Sequence, residues 1–209
     1  MRTASSCAPF TDADNPTDTD TGGNVAGAFK PIATTGIAIG AQCAPYDFKG
    51  QFLKPTVYVE TSIVSYLSSR PSNDIRVAAS QNTTIEWWET RRPVFDLYVS
   101  EFVLTEAGFG HPDAANRRMA VLKDIPELAT VEDVRILGKA LIAKGSLPVK
   151  AEIDAYHIAV AAVHGIEYLL TWNCTHIANA VMRPKIEFLC REFGYEPPII
   201  CTPQELMEG

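Results

Sequence analysis

At 209 residues, 46% hydrophobic and 21% charged, the chain has the make-up of one soluble domain plus a tail, or of two very small domains. No window approaches the run of about 20 apolar residues that a membrane-spanning helix needs, and the N-terminus lacks the compact apolar segment of a secretory signal, so neither is expected. The formal net charge of -7 argues against a dedicated nucleic-acid binder, which is usually basic, although a cation-binding carboxylate cluster and a local basic face are both compatible with it.

Residues 1–53 are rich in Thr, Ser, Gly, Ala and Asp and hold no period for long. They are read as a poorly ordered N-terminal extension, unable to bury enough apolar area to offset its ordering entropy. Within it, residues 32–39 could pair as a strand. The domain proper is read as 54–209. Thr56-Val57-Tyr58-Val59-Glu60 is a β-rich run after Pro55. Residues 61–69 read as a helix closed by Arg70-Pro71, and residues 77–91 as a helix whose bulky part is Ile85, Trp87 and Trp88. Residues 95–99 alternate as a second strand, and Ser100 is placed to cap a helix over 101–109. Asp113 opens a further helix with Arg117, Arg118 and Lys123 on its polar side. Residues 128–131 read as a weak strand.

The alternation continues. Residues 132–144 form a helix stopped by Gly145, and residues 150–164 an apolar helix stopped by Gly165. Tyr168-Leu169-Leu170-Thr171-Trp172 fits a buried strand, and a helix over 183–193 ends at Gly194. Residues 199–201 make a last strand, before Thr202-Pro203-Gln204-Glu205, the pattern of a capping box with Pro at the first helical position. Five cysteines (Cys7, Cys43, Cys174, Cys190 and Cys201) form no C-x-x-C and are odd in number, so a disulfide framework and a zinc knuckle are not expected and a reducing, cytoplasmic setting is.

Strands separated by helices imply an α/β fold of three layers, with a mainly parallel sheet between helices. Such sheets bind ligands beyond the carboxyl ends of their strands. Four polar residues fall there: Glu60 ends the first strand, Glu106 lies in the helix after the second, Asp154 opens the long apolar helix, and Asn173 follows the strand at 168–172. Each alone has a plain structural reading, as a solvated loop residue, a helix-dipole partner or a turn former. Three carboxylates and a carboxamide at one end of a sheet would repel unless a cation sat between them, and oxygen-only ligands suit Mg²⁺ or Mn²⁺ better than zinc.

Four segments at these residues are similar to the PIN-domain ribonucleases, above all the VapC-like toxins of type II toxin–antitoxin pairs. They are Val57-Tyr58-Val59-Glu60-Thr61-Ser62, Val99-Ser100-Glu101-Phe102-Val103-Leu104-Thr105-Glu106, the Ala-rich run from Asp154 to Ala162, and Leu169-Leu170-Thr171-Trp172-Asn173. The likeness spans roughly residues 55–205. Two positions depart from it: Glu60 stands where the family usually has Asp, and Asn173 where many members have Asp.

The resemblance implies a PIN-like fold and a metal-dependent endoribonuclease, the toxin of a pair. Glu60, Glu106, Asp154 and Asn173 would be its catalytic and metal-binding residues, with Mg²⁺ or Mn²⁺ as cofactor. It also implies an RNA substrate, an antitoxin partner and a homodimer. Ser62 and Thr171 are then candidate donors that orient the carboxylates, although hydroxyls there also serve as plain caps. His157, three residues after Asp154, could contact Asp154 or substrate; a satisfied histidine at the edge of the core is the preferred reading. Arg117, Arg118 and Lys123 could touch phosphates but read better as a solvated helix face, and the tryptophans read better as packing than as base-stacking platforms. A catalytically weak PIN-like module that binds RNA or protein is the alternative. An unrelated hydrolase finds no G-x-S-x-G and no Gly-rich phosphate loop to support it.

Overall fold

The computed structural model describes residues 53–207. The N-terminal extension, with the strand considered at 32–39 and with Cys7 and Cys43, lies outside the described residues. Five strands form one sheet: β1 (Thr56–Val59), β2 (Asp96–Ser100), β3 (Glu127–Leu128), β4 (Tyr168–Leu170) and β5 (Ile199–Cys201). Their order is β3-β2-β1-β4-β5 and every pairing is parallel. Val57, Tyr58 and Val59 are all fully buried, because a central strand of a parallel sheet is covered on both faces and needs no polar alternation.

The connections explain where the sheet opens. α1 (Thr61–Ser68) and α2 (Ile75–Thr90) carry the chain from β1 to β2, and α3 (Glu101–Gly108) and α4 (Pro112–Leu122) carry it on to β3. Then α5 (Glu132–Ala143) and α6 (Glu152–Val163) bring it back past β1 to β4, and α7 (Arg183–Glu192) leads to β5. Right-handed crossovers in opposite directions place α1–α4 and α5–α7 on opposite faces, and the packing of α1 on α4 and of α5 on α6 agrees. The reversal at β1 and β4 is the switch point, where a crevice forms at the carboxyl ends. Register makes those ends level: Tyr58 pairs with Tyr98, Val59 with Leu170, and the Glu60 amide donates to the Leu170 carbonyl at 3.1 Å.

Most predicted elements are present, with instructive differences. α2 starts at Ile75 because the Asp74 carboxylate accepts the Arg76 and Val77 amides, a cap that the apolar periodicity did not reveal. The weak strand is Glu127–Leu128 alone, an edge pairing to Val99 and Ser100. Ser100 occupies the N-cap position of α3, but its hydroxyl does not cap the helix. Arg117 and Lys123 are exposed, as a solvated face requires, and Arg118 is half-buried; Arg117 also donates to the Ser68 carbonyl at 2.9 Å, and Arg118 to the carbonyls of Ala107 and Phe109, stapling the ends of α1 and α3. Gly145, Gly165 and Gly194 follow their helices with φ of 72°, 65° and 85°, the left-handed stop expected of them. The Thr202–Glu205 capping box heads a short 3-10 turn at Pro203–Leu206.

Packing accounts for the tryptophans. Trp87 is fully buried and stacks on Phe95 at 5.7 Å, the Arg92 guanidinium lies over Trp88 at 4.8 Å, and the Trp172 indole N–H donates to the Thr84 hydroxyl at 2.8 Å. α6 is apolar almost all round, as a helix wedged between sheet and α5 must be. No helix among the described residues is long and apolar enough to cross a membrane.

Two predictions test this packing. A Cβ at Gly138 on α5 would meet the Tyr156 ring at 2.6 Å. Gly138→Ala therefore destabilises the domain despite about 1 kcal/mol of better helix propensity. Overpacking of this kind costs about 1–3 kcal/mol, which lowers the melting temperature by a few degrees. Gly108→Ala, whose Cβ would enter open space, is neutral or stabilising in the same melting experiment. The second concerns the thiols: Cys174 is exposed, whereas Cys190 and Cys201 are buried and burial pushes both up to about 12. Alkylation of the native protein at pH 8, read by peptide mapping, labels Cys174 and leaves Cys190 and Cys201 untouched until denaturant is added.

Candidate metal centre

Glu60 stands at the N-cap of α1 with extended backbone, yet its side chain does not cap the helix. It is only 5% exposed. Its carboxylate turns to β4 instead, where Oε2 accepts from the Thr171 hydroxyl at 2.7 Å and from the Ser62 hydroxyl. Both hydroxyls in turn accept backbone amides: Ser62 Oγ from Trp172 N at 2.8 Å and Thr171 Oγ1 from Asn173 N at 2.9 Å. The segment after β4 is thus stitched to the start of α1 through one carboxylate.

Glu106 reaches the same crevice from α3. Its Oε2 accepts from the Thr61 hydroxyl at 2.5 Å and lies 3.0 Å from His157 Nε2. His157 is fully buried, and its other nitrogen, Nδ1, is 2.7 Å from the Tyr58 hydroxyl, itself 2.6 Å from Ser100 Oγ. Ser100 leaves α3 uncapped because its hydroxyl faces Tyr58. Burial pushes the Glu106 carboxyl up, but hydrogen bonds from His157 and Thr61, together with the electrostatic pull of His157, outweigh it and hold the carboxyl below its ordinary range. Burial drives the Tyr58 phenol far above its ordinary value, so it stays protonated.

Asp154, in the first turn of α6, faces a different pair. Its Oδ1 accepts from the Asn173 amide at 2.8 Å, and its Oδ2 lies 2.7 Å from His176 Nδ1. Asn173 Oδ1 accepts the His176 backbone amide at 3.1 Å. The four polar residues picked at strand ends therefore fall into two clusters. Glu60 and Glu106 come together with His157, one ligand-type atom from each lying within 4.8 Å of the others, whereas Asp154 is not in that group and pairs with Asn173.

Two histidines complete what the residue pattern left out. His157 is a satisfied core histidine, as preferred, but its carboxylate partner is Glu106 and not Asp154. In sequence His176 stands near Cys174 with no second metal-ligand pair, which makes zinc improbable; in the fold it meets Asp154, and its place three residues after Asn173 is the signal for that contact. The atoms gathered at Glu60 and Glu106 are consequently not all oxygens. Two carboxylate oxygens and an imidazole nitrogen are a donor set that fits a divalent cation.

A groove of about 550 Å³ lies against Glu106. Phe102 and Tyr156, stacked at 4.9 Å with their planes 9° apart, form an apolar wall, and Arg135 and Lys139 stand one turn apart on α5 at its rim.

No family model matches the chain, and no curated protein matches it either. Among solved structures, VapC20 of Mycobacterium tuberculosis, described as a sarcin–ricin loop cleaving toxin, aligns at 18% identity over 59% of this chain and 95% of that one, with a TM-score of 0.45. VapBC-1 of nontypeable Haemophilus influenzae aligns at 13% identity over 71% of this chain and 98% of that one, with a TM-score of 0.46. VapBC2 of Rickettsia felis, bound to a DNA fragment from its promoter, aligns at 12% identity over 70% and 98%, with a TM-score of 0.43. The chain is similar in structure to VapC PIN-domain toxins.

The Glu60 tether yields a stability prediction. Thr171→Val keeps the shape of a fully buried side chain but removes a donor to Glu60 and an acceptor for Asn173 N. Leaving those buried groups unpaired costs about 1–3 kcal/mol in chemical denaturation, and Thr171→Ser recovers most of it. Equal stability of the valine variant and the native protein would show that the tether is idle.

Proposed function

We propose that the chain is a divalent-metal-dependent endoribonuclease that hydrolyses RNA phosphodiesters, the toxin of a toxin–antitoxin pair. The observation that carries this is the meeting of Glu60 and Glu106 beside His157 at the carboxyl ends of β1 and β2. Two carboxylates so close repel, and a cation relieves that repulsion. The motif resemblance of residues 55–205 supplies the reaction class, an RNA substrate, an antitoxin partner and a homodimer as parts of the same proposal.

In this reading Glu60, Glu106, Asp154 and Asn173 line the centre, and Mg²⁺ or Mn²⁺ is the cofactor. When bound, such a cation acidifies a water and polarises a phosphoryl oxygen. The protein's own residues do the rest. Ser62 and Thr171 hold the Glu60 carboxylate against swinging. Thr61 and His157 do the same for Glu106. Asp154 is braced by Asn173 and His176 and keeps a lone pair on each oxygen through which to hold a water or a cation. Arg135 and Lys139 beside the groove supply positive charge for a phosphodiester backbone on an otherwise acidic chain.

One observation favours the alternative, a catalytically weak PIN-like module that binds RNA or protein. The Asn173 side chain is spent on Asp154 and on the His176 amide, and it brings no charge to the centre.

The full chain, incubated with single-stranded RNA and Mg²⁺ or Mn²⁺, is expected to cut it, and a chelator to stop the cutting. Glu106→Gln and Asp154→Ala should each slow cleavage on the order of 100-fold or more. Cleavage at the native rate by both variants would sink the site. RNA retained but uncut by the native protein would establish the binding module.

A further inference from the structure

We propose that His157 is itself a ligand of the centre, so that Nε2 of His157 and one oxygen each of Glu60 and Glu106 form a mixed nitrogen–oxygen site that selects Mn²⁺ over Mg²⁺. This rests on the metal-centre reading above and goes beyond it by moving the protein ligands away from an oxygen-only set.

The geometry behind the ring is that of a metal-ligating histidine. Such a residue uses one nitrogen for the ion and gives the other to a hydrogen-bonding partner that orients the ring. Here Tyr58 is that partner, 2.7 Å from Nδ1 and buried between His157 and Ser100. The Tyr58 hydroxyl can serve either proton order. With Ser100 donating to Tyr58 and Tyr58 to Nδ1, the ring proton sits on Nε2 and faces Glu106. With Nδ1 donating to Tyr58 and Tyr58 to Ser100, Nε2 is a bare lone pair. Passing from the first order to the second moves the ring proton from Nε2 to Nδ1 by exchange with solvent and turns over the two hydroxyl hydrogens, with no heavy atom displaced.

The separation on the other side fits as well. Nε2 and Glu106 Oε2 are 3.0 Å apart. Two ligand atoms at right angles around an ion with bonds of about 2.1 Å are also about 3.0 Å apart. The space now bridged by a proton suits a cation shared by the same two atoms. Asp154 is the poorer candidate for that inner position. Each of its oxygens already faces a donor, and it stands outside the group that Glu60, Glu106 and His157 form. An imidazole in the set favours first-row transition ions over Mg²⁺, which prefers oxygen.

Mn²⁺ binding to the full-length protein tests this without any RNA. Pulsed electron paramagnetic resonance of the Mn²⁺ complex should show nitrogen modulation, converted to the ¹⁵N pattern by [¹⁵N]histidine labelling. The signal should persist in His176→Gln and vanish in His157→Gln. Calorimetry should find Mn²⁺ bound at least tenfold more tightly than Mg²⁺, with His157→Gln weakening Mn²⁺ by about 10–100-fold. Should His157→Gln fail to fold, the labelled native protein and His176→Gln still decide. Bound Mn²⁺ with no nitrogen modulation, or modulation lost with His176, overturns the ligand assignment and leaves the metal centre standing. No Mn²⁺ or Mg²⁺ binding overturns both.

Discussion

Like charges gathered where the strand order of a parallel sheet reverses must be satisfied on the spot, and that requirement shapes the sequence after β1, β2 and β4. Glu60, Glu106 and Asp154 each meet two partners that can donate: Thr171 and Ser62, Thr61 and His157, Asn173 and His176. Three of the six are hydroxyls directly following β1 or β4. They are short enough to reach a neighbouring strand's end, and Ser62 and Thr171 also accept backbone amides on their lone pairs. A carboxylate buried without such donors would neutralise itself by taking up a proton. The lowered Glu106 carboxyl shows the donors winning against burial.

The second consequence runs into the core. Tyr58 is the middle of the central strand and fully buried, a place where a polar atom is costly unless paired. Its hydroxyl is paired on both sides, and the chain from Ser100 through Tyr58 and His157 to Glu106 ties β2, β1, α6 and α3 together. α3 and α6 come from the two opposite helical layers. The orientation of Glu106 is therefore set by both layers at once, and by the sheet between them. This is also why Ser100, well placed in sequence to cap α3, does not do so.

Much of the fold was legible because its signals are local. Apolar runs mark buried parallel strands, and Gly145, Gly165 and Gly194 mark helix ends whatever the rest of the chain does. β3 was read too long because two residues paired on one side leave no pattern to read. The candidate site was legible only in part. The strand-end rule picks out Glu60, Glu106, Asp154 and Asn173, but it fixes which end of the sheet a residue occupies and not which neighbour it meets. The three-residue offset from Asp154 to His157 rotates the side chain by about 60° around α6, enough to turn it from the Asp154 cluster toward Glu106. His176 lies in a turn held by Asn173 Oδ1, where no helical or strand period exists to project its direction.

The two departures from the usual acidic pattern can now be weighed against each other. An Asp at position 173 would set a second carboxylate against Asp154, and two such charges at about 4 Å cost about 4 kcal/mol at an effective dielectric of about 20. Asn173 replaces that repulsion with a 2.8 Å hydrogen bond, and His176 secures the other oxygen. Both Asp154 oxygens thus have a partner within hydrogen-bond distance. Glu60, longer by one bond than Asp, reaches across to Thr171 and Ser62 and remains within 4.8 Å of Glu106 and His157. The Glu60–Glu106 pair has no neutral carboxamide beside it, and the buried imidazole of His157 stands there instead.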